Sequence, residues 1–162
     1  MKKVLRSGKF TVTVNKDFKS VIQNCSEMKR KGQSGTWITK EMIDAYCKLH
    51  EFGKAQSIEV WHPSSPSSEG QGGSELVGGM YGIPIGPSSE PALSMSKCSG
   101  VFCGESMFSK VNNASKIALI YATTEMGYEL IDCQMKTKHL ESMGAQFITR
   151  DKFQNHLSKQ VF

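Results

Sequence analysis

The sequence predicts a single α/β (α+β) domain, a central mixed sheet with helices on both faces, because strand-like and helix-like runs alternate and consecutive strands fall mid-chain. Residues 10–14 (FTVTV) alternate at period two with β-branched side chains, a strand pattern. Residues 17–30 instead place Phe18, Val21, Ile22, Cys25 and Met28 at helical spacing. Residues 57–61 and 76–85 then read as two strands in succession. A length of 162 residues, 38% hydrophobic and 22% charged, suits one compact domain spanning 1–162 rather than two.

Each element has its own signals. The first helix closes in the basic cluster Lys29-Arg30-Lys31-Gly32, suited to a helix C-terminus. Thr39 is the expected N-cap of a second helix with Met42, Ile43, Tyr46, Leu49 and Phe52 on its inner side, and Gly53 closes it. In residues 62–74, ten of thirteen are Ser, Gly or Pro, a composition that buries no core and reads as a mobile hairpin loop. Gly78, Gly79 and Gly82 mark a bend or bulge in the strand that follows. Residues 87–97 read as a second flexible insert, with a strand at 100–103 after it. Asn112 or Asn113 caps a helix that turns Ala114, Ile117, Ala118, Tyr121 and Ala122 inward and ends at Gly127. A strand at 129–133, a helical turn at 138–142 and a short strand at 146–148 follow. The last helix is capped by Asp151, with Phe153 and Leu157 inside.

Composition excludes several classes. No run approaches the roughly eighteen apolar residues of a membrane span, and the basic start of the chain is not followed by an apolar stretch, so no membrane association, no secretory signal and cytoplasmic residence are expected. Five cysteines without a CxxC pair suit reduced thiols. The four histidines fall at no metal-ligand spacing, so no metal is expected. The formal net charge is +5, and residues 1–31 carry nine Lys or Arg against Asp17 and Glu27. Such a stretch either steers a polyanion or forms a solvated face.

Two segments set polar groups among apolar ones. In residues 104–109 an extended backbone places Glu105, Met107 and Ser109 on one face, with Ser106 and Phe108 on the other. In residues 131–134 the same geometry places Asp132 and Gln134 side by side, an acid and an amide at the end of a strand. From spacing alone, caps or ion-pair partners near strand ends, with Met107 as core filler, are the simpler reading.

The residues CGESMFS (103–109), NASK (113–116), IDCQ (131–134), HLESMGA (139–145) and ITRDKF (148–153) resemble the leucyl/phenylalanyl-tRNA–protein transferase family. So do GTWI (35–38), AYCKLHEFGKAQSIEVW (45–61) and LVGGMYGI (76–83), and the resemblance runs from about Lys9 to Leu157, broken by the two inserts. It implies a fold like the Gcn5-related acetyltransferases. It also implies transfer of Leu or Phe, with Met as a further donor, from aminoacyl-tRNA to proteins beginning with Arg or Lys, which marks them for degradation. No cofactor is implied. A glycine-rich Q/RxxGxG/A loop that would hold the pyrophosphate of coenzyme A is absent from the sequence, which disfavours an acyl-CoA donor.

The reaction joins an activated ester to an amine that need only be neutral, and with an α-amino pKa of about 8 a minority of it already is at neutral pH. Alignment of two bound substrates then supplies roughly 7–11 kcal/mol of the barrier reduction. The resemblance assigns Gln134 to the reacting amine or carbonyl, with Asp132 orienting it or holding the amine's charge. Glu105 is the candidate for the aminoacyl α-amino group or terminal adenosine, with Ser109 beside it. Met107 would wall the pocket for the donor side chain, where an unbranched thioether adapts to Leu or Phe. Trp37 would stack on the terminal adenine or line that pocket, a core tryptophan being the alternative. Family members also carry a small N-terminal domain ahead of the equivalent of Lys9, expected here to be nearly absent, with the basic residues of 1–31 as the remaining patch. The rival reading is a non-catalytic module that keeps the fold and binds tRNA or basic N-termini.

Overall fold

Alternation in FTVTV forms β1 (Thr11–Val14), whose Val12 and Val14 pack into one face of the sheet. Asp17 then ends the extended backbone, its side chain accepting the Ser20 N–H at 3.1 Å, and opens α1 (Phe18–Glu27). Phe18, Val21, Ile22 and Cys25 are the buried stripe of that helix. The structure, a computed structural model, describes residues 8–28, 35–63, 73–86 and 100–158. The two Ser/Gly/Pro-rich inserts, apart from their edges, and six of the nine basic residues of 1–31 lie outside the described residues.

Helix α2 (Lys40–Glu51) starts where Thr39 Oγ1 accepts the Met42 N–H at 3.4 Å. Its inner side differs from the sequence expectation. Ile43, Tyr46 and Cys47 pack inward, whereas Leu49 is 36% and Phe52 75% exposed. The helix lies outside α1 and touches the core along one narrow i, i+3, i+4 seam, so the flanks of its apolar stripe remain in water.

Strands β2 (Gln56–Pro63), β3 (Ser74–Ile85) and β4 (Val101–Ser109) follow, then α3 (Ala114–Thr124), β5 (Leu130–Asp132), α4 (Lys138–Glu141) and α5 (Arg150–Ser158). The sheet order is β1-β2-β3-β4-β5. Only β4–β5 is parallel, because α3 carries the chain back across one face between them. One core lies under α3, built from Ile58, Val60, Met80, Phe102, Ile117 and neighbours. The other lies under α1 and α2, built from Phe18, Val21, Ile22, Tyr81 and Phe108 among others. The α/β expectation, with helices on both faces, holds.

The sheet is bulged twice. Val60 pairs with Gly78 but Trp61 with Leu76, so Val77 is the extra residue on β3, beside the glycines that suggested a bulge. Tyr81 pairs with Ser106 but Gly82 with Gly104, so Glu105 is the extra residue on β4. Gly82 makes that second bulge feasible, since a Cβ there would stand 2.1 Å from the Cys103 carbonyl oxygen and 2.8 Å from the Phe102 ring.

Several expected boundaries shift. Strand β4 runs to Ser109 rather than stopping at 103, because all of it pairs with β3. Helix α1 closes at Glu27, with Met28 already extended, instead of reaching Arg30. Residues 146–148 form no strand, since nothing pairs with them and Phe147 is 79% exposed. Helix α5 is capped by Thr149, not Asp151: Thr149 Oγ1 accepts the Lys152 N–H at 3.4 Å and its carbonyl the Phe153 N–H at 3.0 Å. Phe153 and Leu157 of that helix are half-buried rather than inside.

Candidate functional site

The bulge at Glu105 decides which side chains meet. With one extra residue in β4, Met107 and Ser109 keep the α3 face, where Met107 pairs with Met80 and packs into that core. Glu105 is turned to the opposite face, where its carboxylate acts on the Tyr46 hydroxyl of α2. The expectation that Glu105, Met107 and Ser109 share one face is therefore corrected: a bulge shifts the alternation by one position.

Glu105 shares its face with Cys103, which pairs with Ile83 on one side and Asp132 on the other. Both carboxylates act on this thiol. Burial first, then Asp132 and Glu105, push Cys103 up to about 11. Burial and the Glu105 carboxylate likewise push the Tyr46 hydroxyl up to about 12. Cys133 is raised as well, by burial and then by Asp132. Thiols shifted towards the protonated form are poor nucleophiles at neutral pH.

Asp132 and Gln134 are brought together, though not as strand neighbours. Strand β5 ends at Asp132, and Asp132 Oδ1 accepts the backbone N–H of Gln134 at 2.8 Å. Gln134 has φ +57°, and the Met135 N–H donates to the Cys133 carbonyl across it, a tight γ-like turn. A non-glycine residue at positive φ stores local strain, which is found preferentially at functional sites. The sequence expectation of an i, i+2 pair on a strand is thus replaced by an acid clamping the backbone of the turn that carries the amide.

Both residues line a cleft of about 580 Å³ between β5 and the C-terminal segment, with Met135, Lys136, Phe147, Ile148, Arg150 and Phe153 among its other walls. A second cleft of about 480 Å³ lies between α3 and the α4 turn, lined by Leu119, Ile120, Leu140 and Met143. Ile131, Cys133, Gly144 and Ala145 border both. The second cleft adjoins the layer that holds Met107, because Leu119 and Ile131 pack with it against the same core.

The remaining candidates are placed as follows. Ser109 Oγ donates to the Val111 carbonyl at 2.8 Å and accepts the Ser115 N–H at 3.3 Å, so it serves the first turn of α3. Asn113 is the N-cap of that helix by position, with φ +73°, but its side chain makes no capping bond. Trp37 is 43% exposed next to buried Ile38, which removes the core-tryptophan alternative. Sequence reasoning missed Tyr46 and Cys103 as members of the site. Tyr46 was legible only as one residue of a helical stripe, and Cys103 only as a strand residue.

The chain is similar to known proteins along its length. The family model described as leucyl/phenylalanyl-tRNA protein transferase matches residues 1–158. A leucyl/phenylalanyl-tRNA–protein transferase of Flavobacterium psychrophilum is 48% identical over 98% of this chain and 66% of its own length. That of Flavobacterium johnsoniae is 47% identical over 99% of this chain and 66% of its own. That of Hydrogenovibrio crunogenus is 41% identical over 98% of this chain and 54% of its own. The chain therefore spans between about half and two thirds of the length of these curated relatives.

Proposed function

The chain belongs to the leucyl/phenylalanyl-tRNA–protein transferase family, and from that premise we propose that it transfers Leu or Phe from aminoacyl-tRNA to the N-terminal Arg or Lys of acceptor proteins, in the cytoplasm. The observation that carries this reading is the Asp132–Gln134 clamp at the edge of the 580 Å³ cleft. An activated ester and an amine need alignment above all, and a strained turn held by a hydrogen bond is a rigid place to align them.

In this reading the amine nitrogen attacks the ester carbonyl, the carbon–oxygen bond to the ribose breaks, and the amine's proton ends on the ribose oxygen. The Gln134 amide contacts the reacting groups. Asp132 fixes its turn and offers negative charge to the amine. Glu105, near Tyr46 and on the same face as Asp132, binds a cationic amine of either substrate. The donor's apolar side chain enters the cleft under α3, beside Met107 and Leu119. Trp37, exposed and aromatic, stacks on the terminal adenine.

The test is transfer of radiolabelled Leu and Phe from charged tRNA to a protein beginning with Arg or Lys, at low and moderate salt. Transfer that weakens as salt rises supports the reading, since phosphate contacts are salt-sensitive. Binding of charged tRNA without transfer would replace it with the non-catalytic module.

A further inference from the structure

The 580 Å³ cleft is larger than the Asp132–Gln134 pair requires, and its far wall is unusual. Phe147 is 79% and Met135 68% exposed there, among the most exposed large apolar side chains of the described residues. Lys136 Nζ lies 5.2 Å from the centre of the Phe147 ring. Lys136 also pairs with Glu141 at 2.7 Å, whereas Arg150, on the same wall, forms no ion pair among the described residues. Asp132 is the carboxylate that lines this cleft, and it stands at the end where Gln134 is held.

An exposed ring with Lys136 over it and Arg150 lining the same cleft, next to the proposed site of ester chemistry, has the properties of a platform for an unpaired nucleotide. Bases stack on aromatic faces whatever their identity, and Lys and Arg meet the phosphates between them. An apolar peptide side chain would use the ring but leave Arg150 unanswered, and a cationic acceptor N-terminus would be repelled by it.

We infer that this cleft seats the single-stranded nucleotides that precede the terminal adenosine of the donor tRNA, with Phe147 as the base platform and Arg150 and Lys136 at the phosphates. The inference rests on the proposed transfer reaction, because the ester must lie at Asp132 and Gln134 for the preceding nucleotides to fall on Phe147.

The experiment compares two donors with the same amino acid, phenylalanyl-adenosine and phenylalanyl-CpCpA, on wild type, Phe147→Ala, Phe147→Trp and Arg150→Gln. In wild type, kcat/KM is higher for the trinucleotide. Phe147→Ala is expected to cut that preference roughly tenfold, and Phe147→Trp to restore it, as loss and return of one stacked base would. Arg150→Gln is expected to lower the salt slope of trinucleotide binding by about 0.7, the loss of one phosphate contact. Equal losses with both donors would overturn the inference in favour of the adenosine or amino acid. A loss that follows the length of the acceptor peptide would overturn it in favour of the acceptor chain. If wild type transfers from neither donor, the reaction reading fails, and binding of fluorescently labelled CpCpA decides the inference separately. Binding weakened by Phe147→Ala supports it, and absence of binding overturns it.

Discussion

Glu59 and Asp132 are both carboxylates of one sheet that accept backbone N–H groups, yet their surroundings are opposite. Glu59 is fully buried. Its Oε2 accepts from the Thr13 hydroxyl at 2.6 Å and the Lys16 N–H at 3.4 Å, and its Oε1 from the Ser57 hydroxyl and the Asp17 N–H at 3.4 Å. Trp61 Nε1 extends the network to Thr13 at 2.7 Å. Every lone pair facing the protein is used, and the group pins the turn between β1 and α1. Asp132 spends one oxygen on the Gln134 N–H and stands beside an open cleft. The comparison separates two uses of the same side chain: a saturated carboxylate fixes architecture, and an unsaturated one at a cleft is free to meet a substrate.

Substitutions at the two ends should therefore fail in different assays. The largest effect is expected from Asp132→Ala and Gln134→Ala, each lowering transfer by a hundredfold or more, on the order of what a positioned acid–base group supplies, with thermal unfolding little changed. Wild-type rates in both would remove the proposed roles. Next comes Gly82→Ala, which drives a methyl into the Cys103 carbonyl and the Phe102 ring and should cost about 3 kcal/mol in urea denaturation. Unchanged stability would mean that the bulge at Glu105 is not fixed by that close approach. Glu59→Ala should cost roughly 2 kcal/mol, because buried donors lose their acceptor, while the protein that remains folded keeps its transfer rate.

The smallest effects sharpen the open end of the comparison. Gln134→Gly removes the same amide as the alanine variant but suits φ +57°, so stability should rise by up to about 1 kcal/mol while transfer is lost, read from melting temperature and rate together. Stability should also fall above neutral pH. The Tyr46 hydroxyl, ordinarily near 10, is pushed up to about 12 in the folded protein, and Cys103 is pushed up from 9.0 to about 11. The unfolded chain releases these protons first, so the stabilisation is present at neutral pH and is lost from about pH 9 to 12. Tyr46→Phe should flatten the upper part of that decline in pH-dependent denaturation, and an unchanged profile would show that burial and Glu105 do not hold the Tyr46 hydroxyl protonated.

The legible part of the molecule was local. Thr39 announced its helix because an N-cap needs only a short side-chain oxygen three residues ahead of a free N–H, whereas the Asp17 cap of the first helix was read only as helical spacing. Period-two alternation announced β1, and apolar blocks announced the neighbouring strands. The motifs around residues 103–109 and 131–134 carried the family resemblance, which the match over residues 1–158 bears out. What failed was whatever depended on a partner. Leu49 and Phe52 continue a helical stripe that finds nothing to cover it, and 146–148 has strand-like residues but no strand to pair with.

By itself, then, the sequence determined most of the order of elements, the α/β class and the family, because each depends on neighbours in the chain or on a motif read in one stretch. Tertiary structure decided the facing of Glu105 towards Tyr46, the clamp of Asp132 on the Gln134 turn and the width of the cleft beside them. A single inserted residue in β4 exchanges the two faces of the sheet for everything between bulge and strand end. Only the pairing with β3, where Gly82 leaves room for the displaced backbone, fixes where that residue is.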